Sequence, residues 1–99
     1  MKKHSYAMFE KTLKKKQILK KYGIDRIGVF GSFARGEEYN DIDVFIEDDG
    51  VQPENLIKLK DELEREFEIK VDIMTKKFAN PIVLHRARKD MKYVGKSEE

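Results

Sequence analysis

The chain has 99 residues, enough for one domain around one core. Charged residues make up 40% of it and hydrophobic ones 39%, so the core must be small and the surface dense in ions. Lys+Arg (21) nearly balances Asp+Glu (19), which excludes the strongly basic footprint of a dedicated nucleic-acid binder, and six Phe with four Tyr argue against intrinsic disorder.

The first element reads as a helix from His4 to Tyr22. Tyr6, Phe9 and Leu13 fall at i, i+3 and i+7, and Ile18, Leu19 and Tyr22 extend that apolar side. Gly23 is its expected stop. Arg26 to Phe30 reads as a short strand. Gly31 to Gly36 reads as a turn with about one helical turn. Asp41 to Glu47 is a second strand, with Ile42, Val44 and Ile46 alternating. Asp48-Asp49-Gly50 is a turn signal, and Pro53 suits a first helical position. The next helix sets Leu56, Leu59, Leu63 and Phe67 in one stripe. Glu68 to Thr75 is a third strand, with Ile69, Val71 and Ile73 alternating. Asn80-Pro81 opens a short helix to about Arg88. Met91 to Val94 reads as a last strand and residues 95–99 as a frayed tail. This order predicts a single α/β (α+β) domain over residues 1–99. It is a small two-layer fold, a mixed sheet of about four strands with helices covering one face.

Period-two alternation carries the chemistry. With Ile42, Val44 and Ile46 turned to the core, Asp41 and Asp43 share the other face. Two carboxylates side by side repel each other unless a cation lies between them. Hard oxygen ligands suit Mg²⁺, which takes one or two carboxylates together with substrate phosphates. The third strand turns Lys70, Asp72 and Met74 to the face opposite its core residues. If strands two and three pair, Asp72 joins the other two, and three carboxylates can hold two ions about 3.5–4 Å apart for in-line displacement at phosphorus. Gly31-Ser32 closes the first strand and opens a helical turn. Such a turn offers backbone N–H groups, close approach at Gly and a Ser hydroxyl to a phosphate.

Gly31-Ser32-Phe33-Ala34-Arg35-Gly36 followed by Asp41-Ile42-Asp43-Val44 resembles the signature of the polymerase-β-like nucleotidyltransferases. The likeness is greatest to the minimal nucleotidyltransferases, antitoxin partners of HEPN-domain toxins, and runs from Ile24 to about Val94. Asn80-Pro81-Ile82 and Met91-Lys92-Tyr93-Val94 fit that subfamily's last helix and strand. The resemblance implies that Gly31 and Ser32 hold the terminal phosphates of an NTP, most simply ATP. It implies that Asp41 and Asp43 bind two Mg²⁺ ions, with Mn²⁺ as a substitute. Asp72 would bind the catalytic ion and help deprotonate an acceptor hydroxyl. It further implies AMP transfer to a tyrosine of a HEPN toxin. The loop from Phe33 to Asn40 is a residue or two shorter than is common in the family, and Asn40 stands where Ser is frequent.

Other readings follow from the same residues. The fold could serve as a catalytically silent partner-binding antitoxin, or as a small nucleic-acid-binding domain. Arg35 could reach a phosphate or pair with Glu37 or Glu38. Tyr39 could pack near a base, though a loop aromatic covering the core is the favoured reading. Lys11, Lys14, Lys15, Lys16, Lys20 and Lys21 read as a solvated face rather than a nucleic-acid patch. His4 and His85 read as ordinary histidines. With no cysteine there is no disulfide framework and no thiolate metal site. No apolar run reaches the ~20 residues of a membrane span, and no apolar stretch follows Met1-Lys2-Lys3-His4. A cytoplasmic protein is expected, with no membrane partner and with a homo-oligomer left open.

Overall fold

The computed structural model describes residues 4–48 and 50–96. All four expected strands form: β1 (Arg26–Phe30), β2 (Asp41–Ile46), β3 (Lys70–Thr75) and β4 (Lys92–Gly95). They make one mixed sheet in the order β3-β2-β1-β4. β1 runs antiparallel to β2 and β4, and β2 runs parallel to β3. A parallel pair needs a crossover, which α4 (Pro53–Phe67) supplies.

The alternation seen in the sequence has a physical cause. One face of the sheet is fully covered, so every second residue of a strand must be apolar. Ile42, Val44, Ile46 and Val71 are buried there against Phe9 and Leu13 of α1 (Tyr6–Lys15) and Leu59 and Leu63 of α4. Burial of a Leu or Ile side chain contributes about 1.5–3 kcal/mol. The Ser5 side chain caps α1 by accepting from the Met8 N–H. Asn80 caps α5 (Pro81–Asp90) through the Ile82 N–H.

The first segment departs from the expected single helix. α1 ends at Lys15, and a separate turn of helix, α2, spans Ile18–Lys21. Gln17 joins them in the left-handed region, at φ 50°. At about 100° per residue, an unbroken helix would carry Ile18 roughly 140° away from Leu13. The break swings Ile18 and Leu19 back, and both are buried. Gly23, at φ 69°, does follow the helical segment as its stop.

Three smaller differences concern boundaries. β3 starts at Lys70 rather than Glu68, because Glu68 caps α4 with φ 53°. The short 3-10 turn Lys76–Phe78, absent from the sequence reading, leads from β3 toward α5. The expected fray at residue 95 is not seen: Gly95 pairs with Arg26, and the Lys96 N–H donates to the Asp25 carbonyl. Residues 97–99, and Asp49 of the expected turn, lie outside the described residues. On the other face, Phe45 is also buried, and the Arg88 guanidinium of α5 lies 5.5 Å from its ring centre. No helix among the described residues is long and apolar enough to cross a membrane.

Candidate active site

β2 and β3 pair in the register that sets Asp43 directly opposite Asp72, with Asp41 opposite Lys70. One carboxylate oxygen each from Asp41, Asp43 and Asp72 all lie within 4.8 Å of one another. On its other side Asp43 faces Phe30, the last residue of β1. The chain leaves Phe30 into α3 (Gly31–Ala34), so the Gly-Ser turn begins beside the Asp43 carboxylate.

Gly31 is required there on two counts. Its φ is +79°, a conformation L side chains rarely adopt, and a Cβ on it would collide with the Asp43 carboxylate. The turn and the carboxylate can approach this closely only because position 31 has no side chain. A Gly31→Ala substitution is therefore expected to disturb both, costing about 1–3 kcal/mol of stability and displacing Asp43. A thermal melt and a metal titration would show it.

The electrostatics follow from crowding. Burial, then the charges of Asp41 and Asp72, push the Asp43 carboxyl up to about 6, against an opposing pull from Arg35. Asp41 is also raised, by burial and by Asp72, with Lys70 opposing. The Lys70 ammonium stands 3.7 Å from Asp72. These nearby cations offset only part of the repulsion. The donor set is three carboxylates with oxygens at a separation one divalent ion can bridge, which is the oxygen-only chemistry that suits Mg²⁺ or Mn²⁺.

Ser32 makes no side-chain hydrogen bond to the described residues; its carbonyl accepts from the Glu37 N–H. Its hydroxyl is thus free for a ligand. Removing it in Ser32→Ala should leave the melting temperature unchanged within a degree or two. Nucleotide affinity should fall about 10- to 100-fold if the hydroxyl bonds a charged phosphate oxygen. Calorimetric titration with MgATP measures this, and equal affinity would place the phosphates away from Ser32.

Arg35 takes the acid-pairing alternative. Its guanidinium donates to Glu37 at 3.1 Å and to Asp90, at the end of α5, at 2.7 Å. Asp90 was not visible as a partner in the sequence, since 55 residues separate the two. Tyr39 also settles as core cover, packed edge-on to Phe33 at 4.7 Å. A cavity of about 700 Å³ lies beside the Gly36–Asn40 loop, against Phe67 and Ile69, and none of the three Asp lines it. The basic first segment is largely a solvated, paired surface. Lys16 and Lys21 reach Glu66 and Glu62 of α4 at 2.7 and 3.0 Å, and Lys14 stands 3.8 Å from Glu10.

Comparison with known proteins identifies the family and the fold. The family model described as "Polymerase beta, Nucleotidyltransferase" matches residues 13–99. A Methanocaldococcus jannaschii relative, named provisionally as a protein adenylyltransferase, is 42% identical over 88 residues, covering 82% of this chain and 88% of its own. The protein adenylyltransferase MntA of Thermococcus cleftensis is 33% identical over 86 residues, covering 84% and 87%. Among solved structures, that of a toxin-antitoxin with AMP-PNP shares the fold at a TM-score of 0.69, with 18% identity, over 90% of this chain and 74% of that one. The chain belongs to the polymerase beta nucleotidyltransferase family.

Proposed function

We propose that this chain is a metal-dependent protein adenylyltransferase that acts as an antitoxin, moving AMP from ATP onto a tyrosine hydroxyl of a HEPN-domain toxin in the cytoplasm. The observation that carries the chemistry is the Asp41–Asp43–Asp72 cluster, with the Gly31-Ser32 turn against Asp43. Relatives named as protein adenylyltransferases, and a structural neighbour that is a toxin-antitoxin with AMP-PNP, support the nucleotide and the partner. The HEPN fold of that partner and its tyrosine rest on the family resemblance of the sequence.

In this reading Asp41 and Asp43 hold Mg²⁺, and Asp72 completes the set. Mg²⁺ bound there supplies positive charge against the triphosphate and the developing negative charge at phosphorus. Gly31 and Ser32 hold the β- and γ-phosphates. Arg35, paired with Glu37 and Asp90, adds positive charge near Asp43 on the phosphate side of the site. The acceptor oxygen forms a bond to the α-phosphorus while the bond to the bridging oxygen breaks, and pyrophosphate leaves with that electron pair. The acceptor's proton passes to the Asp72 carboxylate and then to water. Catalysis by this chain is mostly positioning and charge.

The direct test of the site is thermal. Mg²⁺ with ATP should raise the melting temperature by more than either alone. At 100 times the dissociation constant the gain is about 2.7 kcal/mol. For a domain of this size that is roughly 10–20 °C. No synergy between metal and nucleotide would set the reading aside.

A further inference from the structure

We infer that Tyr39 is a positioning residue for this site, tying the phosphate turn to the carboxylate strand; the inference rests on reading the Asp cluster as a metal and nucleotide site. Residues 33–40 link the Gly31-Ser32 turn to Asp41; Arg35 ties the first part of this link to Asp90, and the Gly36–Asn40 loop completes it. Its first half is fastened to the turn by backbone bonds, Gly36 N–H to the Phe33 carbonyl and Glu37 N–H to the Ser32 carbonyl. Its second half is held by one side chain. Among the described residues, Tyr39 makes the loop's only side-chain hydrogen bonds to another part of the fold.

Those bonds use the hydroxyl fully. It accepts from the His4 N–H at 2.8 Å and donates to the His4 carbonyl at 2.7 Å. The ring is fixed as well, and its contacts close a circuit. Tyr39 packs on Phe33 at 4.7 Å, Phe33 on Phe9 at 5.7 Å, Phe9 on Phe67 at 4.9 Å, and Phe67 on the His4 ring at 5.2 Å. The hydroxyl returns the circuit to Tyr39. Phe33 follows Ser32, Tyr39 stands two residues before Asp41, and Phe67 ends α4 three residues before β3 begins. All three segments that carry the site are therefore keyed to one ring of aromatic contacts, and Tyr39 is its closing member.

A tyrosine that only covers core would affect stability alone. Tyr39→Phe keeps the ring and removes both hydrogen bonds. Tyr22→Phe is the matched control: its hydroxyl donates to Glu62 at 2.6 Å, before β1 begins and so at the end of that strand away from the site. Both full-length variants should melt a few degrees below wild type. Tyr39→Phe should weaken MgATP binding three- to tenfold, read by calorimetry well below the melting range. Tyr22→Phe should stay within twofold of wild type. Hydrogen exchange of the 37–41 amides should rise in Tyr39→Phe and not in Tyr22→Phe. Unchanged MgATP affinity in Tyr39→Phe, or equal weakening in both variants, would overturn the positioning role. A wild-type chain without metal-dependent ATP binding would remove the reading of the Asp cluster itself, and the role of Tyr39 with it.

Discussion

Asp43→Asn is expected to do two opposite things: stabilise the metal-free protein at neutral pH and abolish its response to MgATP. Asp43 stands opposite Asp72 in the sheet and within the same carboxylate cluster as Asp41, and its carboxyl is raised to about 6 by burial and by their charges. A carboxyl raised in the folded state favours folding while it is protonated. That contribution is complete below the unfolded value of about 3.9 and is lost as pH rises through about 6. At pH 7.5 without metal the charge is a net cost. The shift of about two units corresponds to under 3 kcal/mol, and solvent screening of this half-buried group brings it to about 1 kcal/mol. Asparagine removes it, so the metal-free variant should melt roughly 4–8 °C above wild type at pH 7.5. The gap should close toward pH 5. Transfer should meanwhile fall by about a thousandfold, the loss expected when about 4 kcal/mol of charge stabilisation goes. A variant that melts lower than wild type at pH 7.5 in EDTA would contradict the electrostatic account. A variant that keeps the MgATP shift would place the nucleotide elsewhere.

Asp72→Asn is expected to separate binding from transfer. Asp72 sits on a different strand from the pair Asp41 and Asp43, and 46% of its side chain is exposed. It is open to an incoming acceptor, whereas Asp43 lies deeper, beside Gly31. Asparagine should therefore keep most of the MgATP melting shift. Transfer to the partner should drop at least a hundredfold, within the range for loss of a group that accepts a proton in the transition state. Equal labelling of the partner by wild type and Asp72→Asn would remove Asp72 from the chemistry. Loss of the melting shift together with transfer would make Asp72 a binding residue first.

The strands and the carboxylate cluster were legible because one buried face forces period-two alternation. Asp41 and Asp43 could be put on one face from Ile42, Val44 and Ile46 alone. Asp72 could be put beside them only on the assumption that β2 and β3 pair; the parallel direction and the register that sets Asp43 opposite Asp72 depend on the crossover through α4 and were not legible. Gly31 was legible as a turn residue, but its contact with Asp43 was not, because that depends on where β1 ends against β2. The break at Gln17 left no mark. It has no Gly or Pro, and tertiary burial of Ile18 and Leu19 overrides the helical pattern. The Arg35–Asp90 and Tyr39–His4 contacts span 55 and 35 residues, and they exist only once the fold brings those segments together.

AMP transfer onto a partner protein is read by intact-protein mass spectrometry. The chain is incubated with ATP, Mg²⁺ and the proposed partner, a HEPN-domain toxin from the same source, with Asp43→Asn as the parallel sample. One or more added AMP masses are expected on the partner, on a tyrosine, with wild type only. An unmodified partner with wild type, across all four NTPs and with both Mg²⁺ and Mn²⁺, would contradict that transfer and leave a silent binding module.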